Sequence, residues 1–169
     1  RTEKTDITAS YTLSWNFRRF DAFWHEWYPD RNDHRHRINI TASHRITKRF
    51  DAYVGWNWRK GSRITVLSHL DPETKEYYYS SPNNLQLDDY HRLDVGFNFR
   101  KTTRRGNESI WNLSVYNAYC RLNPFYANVH RLHYDQVQND QLISSVDHPE
   151  GLNIGLIPIV PTFSYTLKF

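Results

Sequence analysis

Residues 162–169 read TFSYTLKF. Thr162, Ser164, Thr166 and Lys168 alternate with Phe163, Tyr165, Leu167 and Phe169, so an extended chain here shows one polar face and one apolar face. Working outward, the same period of two recurs through the chain. Ile7, Ala9, Tyr11, Leu13, Trp15 and Phe17 alternate with Thr8, Ser10, Thr12, Ser14 and Asn16. Ile38, Ile40, Ala42 and Ile46 alternate with Asn39, Thr41, Ser43 and Arg45, and His44 falls on the apolar side. Ala52, Val54, Trp56 and Trp58 oppose Tyr53, Gly55, Asn57 and Arg59; Leu93, Val95, Phe97 and Phe99 oppose Asp94, Gly96, Asn98 and Arg100. Trp111, Leu113 and Val115 oppose Asn112, Ser114 and Tyr116. The pattern predicts an all-β chain of about six antiparallel strands.

Two features of this order bear on the solvent. Connections alternate in length: short turns at 47–51 and 101–108, long segments at 18–35, 61–87 and 123–155. Outer-membrane barrels have this asymmetry, with short turns on one side and long loops on the other, and they close with a C-terminal strand. The near-repeat RFDAF at 19–23 and RFDAY at 49–53 would reverse the first strand if both were turns of one kind, but the other ends agree when the repeat is taken as chance. Second, the apolar sets hold no Asp, Glu, Lys or Arg, whereas the polar sets carry Asp6, Arg45, Arg59, Asp94, Arg100 and Lys168. A charge facing lipid near the midplane costs about 2–4 kcal/mol, so the apolar sets suit lipid and the polar sets suit a wet lumen. About six strands are too few to close a membrane barrel, which takes at least about eight, and an open sheet in lipid leaves unsatisfied edges. The expected fold is therefore an antiparallel transmembrane β-barrel segment of a larger barrel.

Composition agrees with this reading. The 169 residues fit one domain, are only 38% hydrophobic, and carry 12 Tyr, 9 Phe and 6 Trp. Alternating strands average out as polar, and aromatics serve interfacial girdles or a ligand platform. A net charge of +4 with scattered basic residues gives no stripe for nucleic acid. Cys120 stands alone without redox or metal spacing. No signal peptide precedes the strand pattern at Arg1, so an exported protein with this sequence is expected to be processed or continued from another segment.

Taken in order, the stretches YTLSWNFRRF (11–20), YPDRNDHRHRINITASHRI (28–46), WRKGSRITV (58–66), YHRLDVGFNFR (90–100), WNLSVYNAYCRLNPFY (111–126) and IPIVPTFSYTLKF (157–169) resemble the end of the β-barrel of Bacteroidetes TonB-dependent outer-membrane receptors, including the SusC-like transporters. The resemblance spans nearly the whole chain. It implies a Gram-negative outer-membrane location and an intact barrel of about 22 strands holding a plug. It implies import of a nutrient (glycan, peptide or metal chelate) energised by TonB through the plug, and a SusD-like surface lipoprotein as a further partner. The plug and a TonB-contacting segment have no counterpart here, so this chain by itself is expected not to transport. Its partners are then the rest of the barrel and the plug, from the same precursor or a separate chain, together with outer-membrane lipid. The resemblance also suggests that assembly machinery reads the closing Phe163, Tyr165, Leu167 and Phe169.

Candidate sites follow from residue type. Trp24, Trp27, Tyr28, Tyr77, Tyr78 and Tyr79 lie in long segments and suit either ligand stacking or an outer girdle. Arg45, Arg59, Asp94, Asn98, Arg100 and Tyr116 either brace a plug or solvate the lumen. His34 and His36, on one face of an extended chain, and the group His130, His133, Tyr134 and Asp135 lack a placed third ligand, so no metal is expected. The alternative for His34–Arg37 is a strand rim pairing with Asp30 or Asp33. No nucleophile, spaced carboxylate pair or phosphate-cradling loop is visible, so no enzymatic activity and no cofactor are expected. Two rival readings remain: a soluble aromatic-rich β-sandwich that binds glycan, and a small structural outer-membrane barrel.

Overall fold

The computed structural model describes residues 3–66, 69–70, 74, 76–103, 106–128, 137–138, 141–142, 152–155 and 157–169. Among them all regular structure is extended, and no helix is long and apolar enough to cross a membrane. Six strands form one sheet: β1 (Thr5–Leu13), β2 (His36–Arg45), β3 (Phe50–Arg59), β4 (Tyr90–Thr102), β5 (Glu108–Tyr116) and β6 (Val160–Lys168). Every neighbouring pair is antiparallel, and spatial order follows chain order, a simple meander. The direction of the first strand is thereby fixed: β1 pairs antiparallel with β2 and ends beside the long connections. Of the near-repeat, Phe20 and Trp24 flank a hairpin tip while Phe50 opens β3, so the two copies sit at opposite ends.

The register joins the six alternating patterns into continuous rows. One row runs Thr5–His44–Ala52–Phe97–Leu113–Phe163, and the next runs Ile7–Ala42–Val54–Val95–Val115–Pro161. Because directly paired residues project to the same side, all six apolar sets share one face. His44 lies on that face, bonded through Nδ1 to Thr5 Oγ1 at 2.8 Å.

The short turns are closed by threonine. Thr47 Oγ1 accepts the N–H groups of Arg49 (3.2 Å) and Phe50 (3.0 Å), and Thr103 Oγ1 accepts that of Asn107 (3.1 Å). In the second turn Gly106 has φ +84°, a conformation glycine adopts without a Cβ clash; Arg104 and Arg105 of this turn lie outside the described residues.

Several boundaries differ from the sequence expectation. β1 ends at Leu13 rather than continuing through Phe17, because residues 17–20 pair instead with Trp24–Pro29 as a separate hairpin. The segment 61–87, expected as loop, contains the paired dipeptides Arg63–Ile64 with Leu85–Gln86, and His69–Leu70 with Tyr77–Tyr78. In the last long segment Pro124–Asn128 pairs with Leu152–Gly155, and Val137–Gln138 with Gln141–Leu142. β4 continues to Thr102, which brings Lys101 to the apolar face opposite Ser109. That charge lies at the end of the sheet, where a lysine stem can lie along apolar surface with its ammonium in water. Phe169 lies past the end of β6 and is 98% exposed.

Burial is sparse and mostly polar. Among the described residues only Tyr28 and Leu87 are buried apolar side chains, whereas Ile7, Tyr11, Phe97, Trp111, Leu113, Phe163 and Tyr165 are exposed. No second layer of described residues covers the apolar face. On the polar face, Tyr53 crosses its partner Gly96, where an added Cβ would come within 2.1 Å of the Tyr53 ring. Its hydroxyl reaches Asn112 Nδ2 at 3.4 Å. Gly96→Ala is expected to displace this ring and cost about 1–3 kcal/mol in equilibrium unfolding. The same change in a Tyr53→Ala background should cost clearly less; equal costs in the two backgrounds would show that the ring is not the obstacle.

Candidate functional site on the polar face

Arg45, Arg59, Asp94, Asn98, Arg100 and Tyr116 all fall on the polar face of the sheet, by register and by shared alternation phase. They form two clusters. Near the short turns, Asp51 receives the Arg100 guanidinium at 2.9 Å and the Asn98 amide at 2.8 Å. Asn98 Oδ1 in turn accepts from Asn112 Nδ2 at 2.7 Å. Arg45 is the direct cross-strand partner of Asp51. Side chains thus join three strands, β3, β4 and β5.

The second cluster centres on Arg92. Its Nε donates to Asp94 Oδ2 at 2.9 Å, and its Nη1 donates to the hydroxyls of Tyr116 (2.6 Å) and Tyr90 (3.1 Å). The guanidinium also lies over the Tyr116 ring, 4.0 Å from its centroid, so charge pairing and the ring quadrupole act together. The other oxygen of Asp94 accepts the backbone N–H of Asn117 at 3.0 Å. Asn117, only 1% exposed and at φ +55°, ties the connection after β5 to the approach to β6, donating to the carbonyls of Arg121 (2.8 Å) and Ile157 (3.1 Å). Asparagine tolerates this left-handed conformation better than most residues. Arg92, Tyr90, Asp51 and Asn112 were not among the sequence candidates, although each shares the alternation phase of a candidate on its own strand: Asp94 for Arg92 and Tyr90, Arg59 for Asp51, and Tyr116 for Asn112. That phase was the signal that could have found them.

Above this cluster, at the long-connection end, the residues 30–34 form a polar knot. Asp30 pairs with Arg18 and accepts the Asn32 N–H at 2.7 Å, and Asp33 pairs with Arg35 at 3.1 Å. The rim pairing expected for this stretch is therefore present at Arg35. The expectation that His34 and His36 share a face does not hold. Arg35 has φ +38°, which breaks the extended alternation. His36 meets the Tyr11 hydroxyl (2.8 Å) on the apolar side, while buried His34 turns to the polar side. There its Nδ1 donates to the Lys60 carbonyl (2.8 Å) and its Nε2 accepts from Arg59 Nη1 (2.6 Å). Burial first, and the adjacent Arg59 charge second, hold His34 below the usual imidazole value of 6.5.

The aromatic candidates are dispersed in character. Tyr28 is buried (5% exposed) and meets Phe23, so it cannot serve as a stacking surface. Trp27 is exposed on the opposite side of its strand, with Arg19 5.7 Å from its ring centroid, and Trp24 is half-buried. Tyr78 and Tyr79 are exposed, and the Tyr78 hydroxyl donates to Glu76 at 3.2 Å. The Tyr77 side chain and the group His130, His133, Tyr134 and Asp135 lie outside the described residues. Among the described residues no three His, Cys, Asp or Glu side chains converge as a metal site. Comparison with protein-family models, curated proteins and solved structures returns no match to this chain.

The His34 arrangement carries a pH consequence. In the unfolded chain His34 protonates as pH falls through 6.5, whereas the folded residue stays neutral to a lower pH. Its contribution to stability is therefore present above that range and lost as pH falls below it. Thermal unfolding of His34→Gln is expected to show a shallower loss of midpoint between about pH 7 and pH 5 than wild type; identical slopes would place the titration elsewhere.

Proposed function

We propose that this chain supplies consecutive membrane-spanning strands of a TonB-dependent outer-membrane importer. In this reading the apolar face meets lipid, and the polar face lines a lumen and braces a plug. The observation that carries the reading is the row structure of the apolar face. At the short-turn end, Phe50, Phe99, Trp111 and Tyr165 lie side by side across four strands. Trp111 packs edge-on to Tyr165 at 4.8 Å. At the other end Tyr11, Ile38, Trp58 and His91 form a row, and His91 bonds the Tyr119 hydroxyl at 2.7 Å. Between them stand Ile7, Ala42, Val54, Val95, Val115 and Pro161. Phe50 and Trp58 are about 26 Å apart along the strand at ~3.3 Å per residue, or about 20 Å along the membrane normal at a tilt near 40°. Two aromatic girdles around a band of that order are what a lipid-facing barrel wall needs.

Exposure supports the same reading. A water-soluble monomer rarely shows contiguous apolar patches above a few hundred Å², and this face spans six strands. A glycan-binding sandwich would require a second sheet over it, which the described residues do not supply. The edges of β1 and β6 are unpaired within the sheet. In the proposed barrel they receive neighbouring strands from the same polypeptide or from a partner chain. The importer, plug, TonB coupling and SusD-like lid rest on the sequence resemblance. The charged clusters on the polar face suit contact with a hydrated plug, and the exposed Trp27, Tyr78 and Tyr79 suit contact with nutrient at the mouth.

Val54→Arg on the apolar face is expected to cost about 2–4 kcal/mol and deplete protein from the outer-membrane fraction. Thr41→Arg, one row away on the polar face, should leave that fraction near wild type. Equal effects would contradict lipid contact. A photocrosslinking residue at Asn98 is expected to capture a plug segment, and one at Leu113 to capture lipid; capture of lipid by both would remove the lumen.

A further inference from the structure

The polar face holds a pair of like charges that no carboxylate among the described residues neutralises. Arg37 and Arg59 are direct cross-strand partners, a placement that destabilises a sheet unless something offsets it. Neither makes an ion pair with a carboxylate among the described residues. The acids nearby are committed elsewhere: Asp94 to Arg92 and the Asn117 N–H, Asp33 to Arg35, and Asp89 to Lys60 and the Gly61 N–H. Arg59 is nevertheless held in place. Its guanidinium lies over the Tyr90 ring at 4.8 Å and donates to His34, whose imidazole is itself fixed by the Lys60 carbonyl. The surrounding hollow, about 370 Å³, is lined by Arg37, Asn39, Asn57, Trp58, Arg59, Tyr90 and Arg92. Asn39 and Asn57 are direct partners in the adjacent row, adding neutral amide donors beside the two charges.

A preorganised guanidinium, a second one opposite it and flanking amides match the fork geometry by which arginine takes carboxylate or phosphate. We propose that the Arg37–Arg59 hollow binds the oxyanion group of a small solute, a carboxylate or a phosphate. The binding is a property of this face, whether or not that face lines a lumen, so it goes beyond the importer reading and can fail independently of it.

The test uses the intact protein, with the chains it co-purifies with, titrated separately with inorganic phosphate and with succinate at low ionic strength. Saturable binding of at least one anion by calorimetry is expected, and which of the two binds more tightly assigns phosphate or carboxylate chemistry. Arg37→Gln/Arg59→Gln should weaken that binding at least tenfold, whereas Arg45→Gln, on the same face at the far end, should leave it within about twofold. A second readout separates binding from folding: in anion-free buffer Arg37→Gln should unfold at the same temperature as wild type or higher, because it removes repulsion. Absence of saturable binding by either anion, an unchanged affinity in the double variant, or marked destabilisation by Arg37→Gln in anion-free buffer would each overturn the proposal.

Discussion

The antiparallel hydrogen-bond ladder that holds six strands in one register is the constraint on which the remaining features depend. A slip of one residue at any junction would turn that strand's apolar set to the polar face and break both kinds of row at once. With the register kept, Phe50 meets Phe99, Trp111 and Tyr165, and Asp51 meets Asn98 and Arg45. Short turns pin two junctions through Thr47 and Thr103. The long connections are pinned by polar side chains at their base: Asn117 ties together the two ends of the last one, and Asn83 Nδ2 donates to the Pro29 carbonyl at 2.9 Å, linking the first long segment to the second.

The two faces divide the energetics. Burial of apolar surface within the chain contributes little, since only Tyr28 and Leu87 are apolar and buried among the described residues. The polar face is instead crossed by charge-assisted bonds through Arg92, Asp94, Arg100 and Asp51. Such bonds are individually modest where water reaches them, so the sheet's exposed apolar side must find a medium of its own. Lipid supplies that medium in the proposed barrel, and neighbouring strands complete the edges.

Strand phase was legible because period two survives reading residue by residue, and TFSYTLKF shows it as plainly as the structure does. The strand ends were less legible. Trp15 and Phe17 keep the alternation of β1, yet the pairing with β2 ends on the bond from the Ser14 N–H to the Arg35 carbonyl, and the Asn16 carbonyl accepts the Asp30 N–H instead. Alternation reports side-chain polarity and not hydrogen-bond partners, so it cannot register that change. Of the candidate site, the polar-face set was readable from phase, while the turn of His34 away from His36 depends on the positive φ at Arg35. No residue-type pattern announces that conformation for an arginine.

The placement of the apolar face against lipid is tested most directly by spin-label accessibility along β5. With Cys120→Ser as background, single labels would replace each of residues 109–115 in the protein in its native membrane. Positions 111, 113 and 115 are expected to be reached by oxygen and shielded from a water-soluble nickel chelate, with 112 and 114 the reverse. Equal chelate accessibility at both sets, or oxygen preference without a period of two, would contradict it.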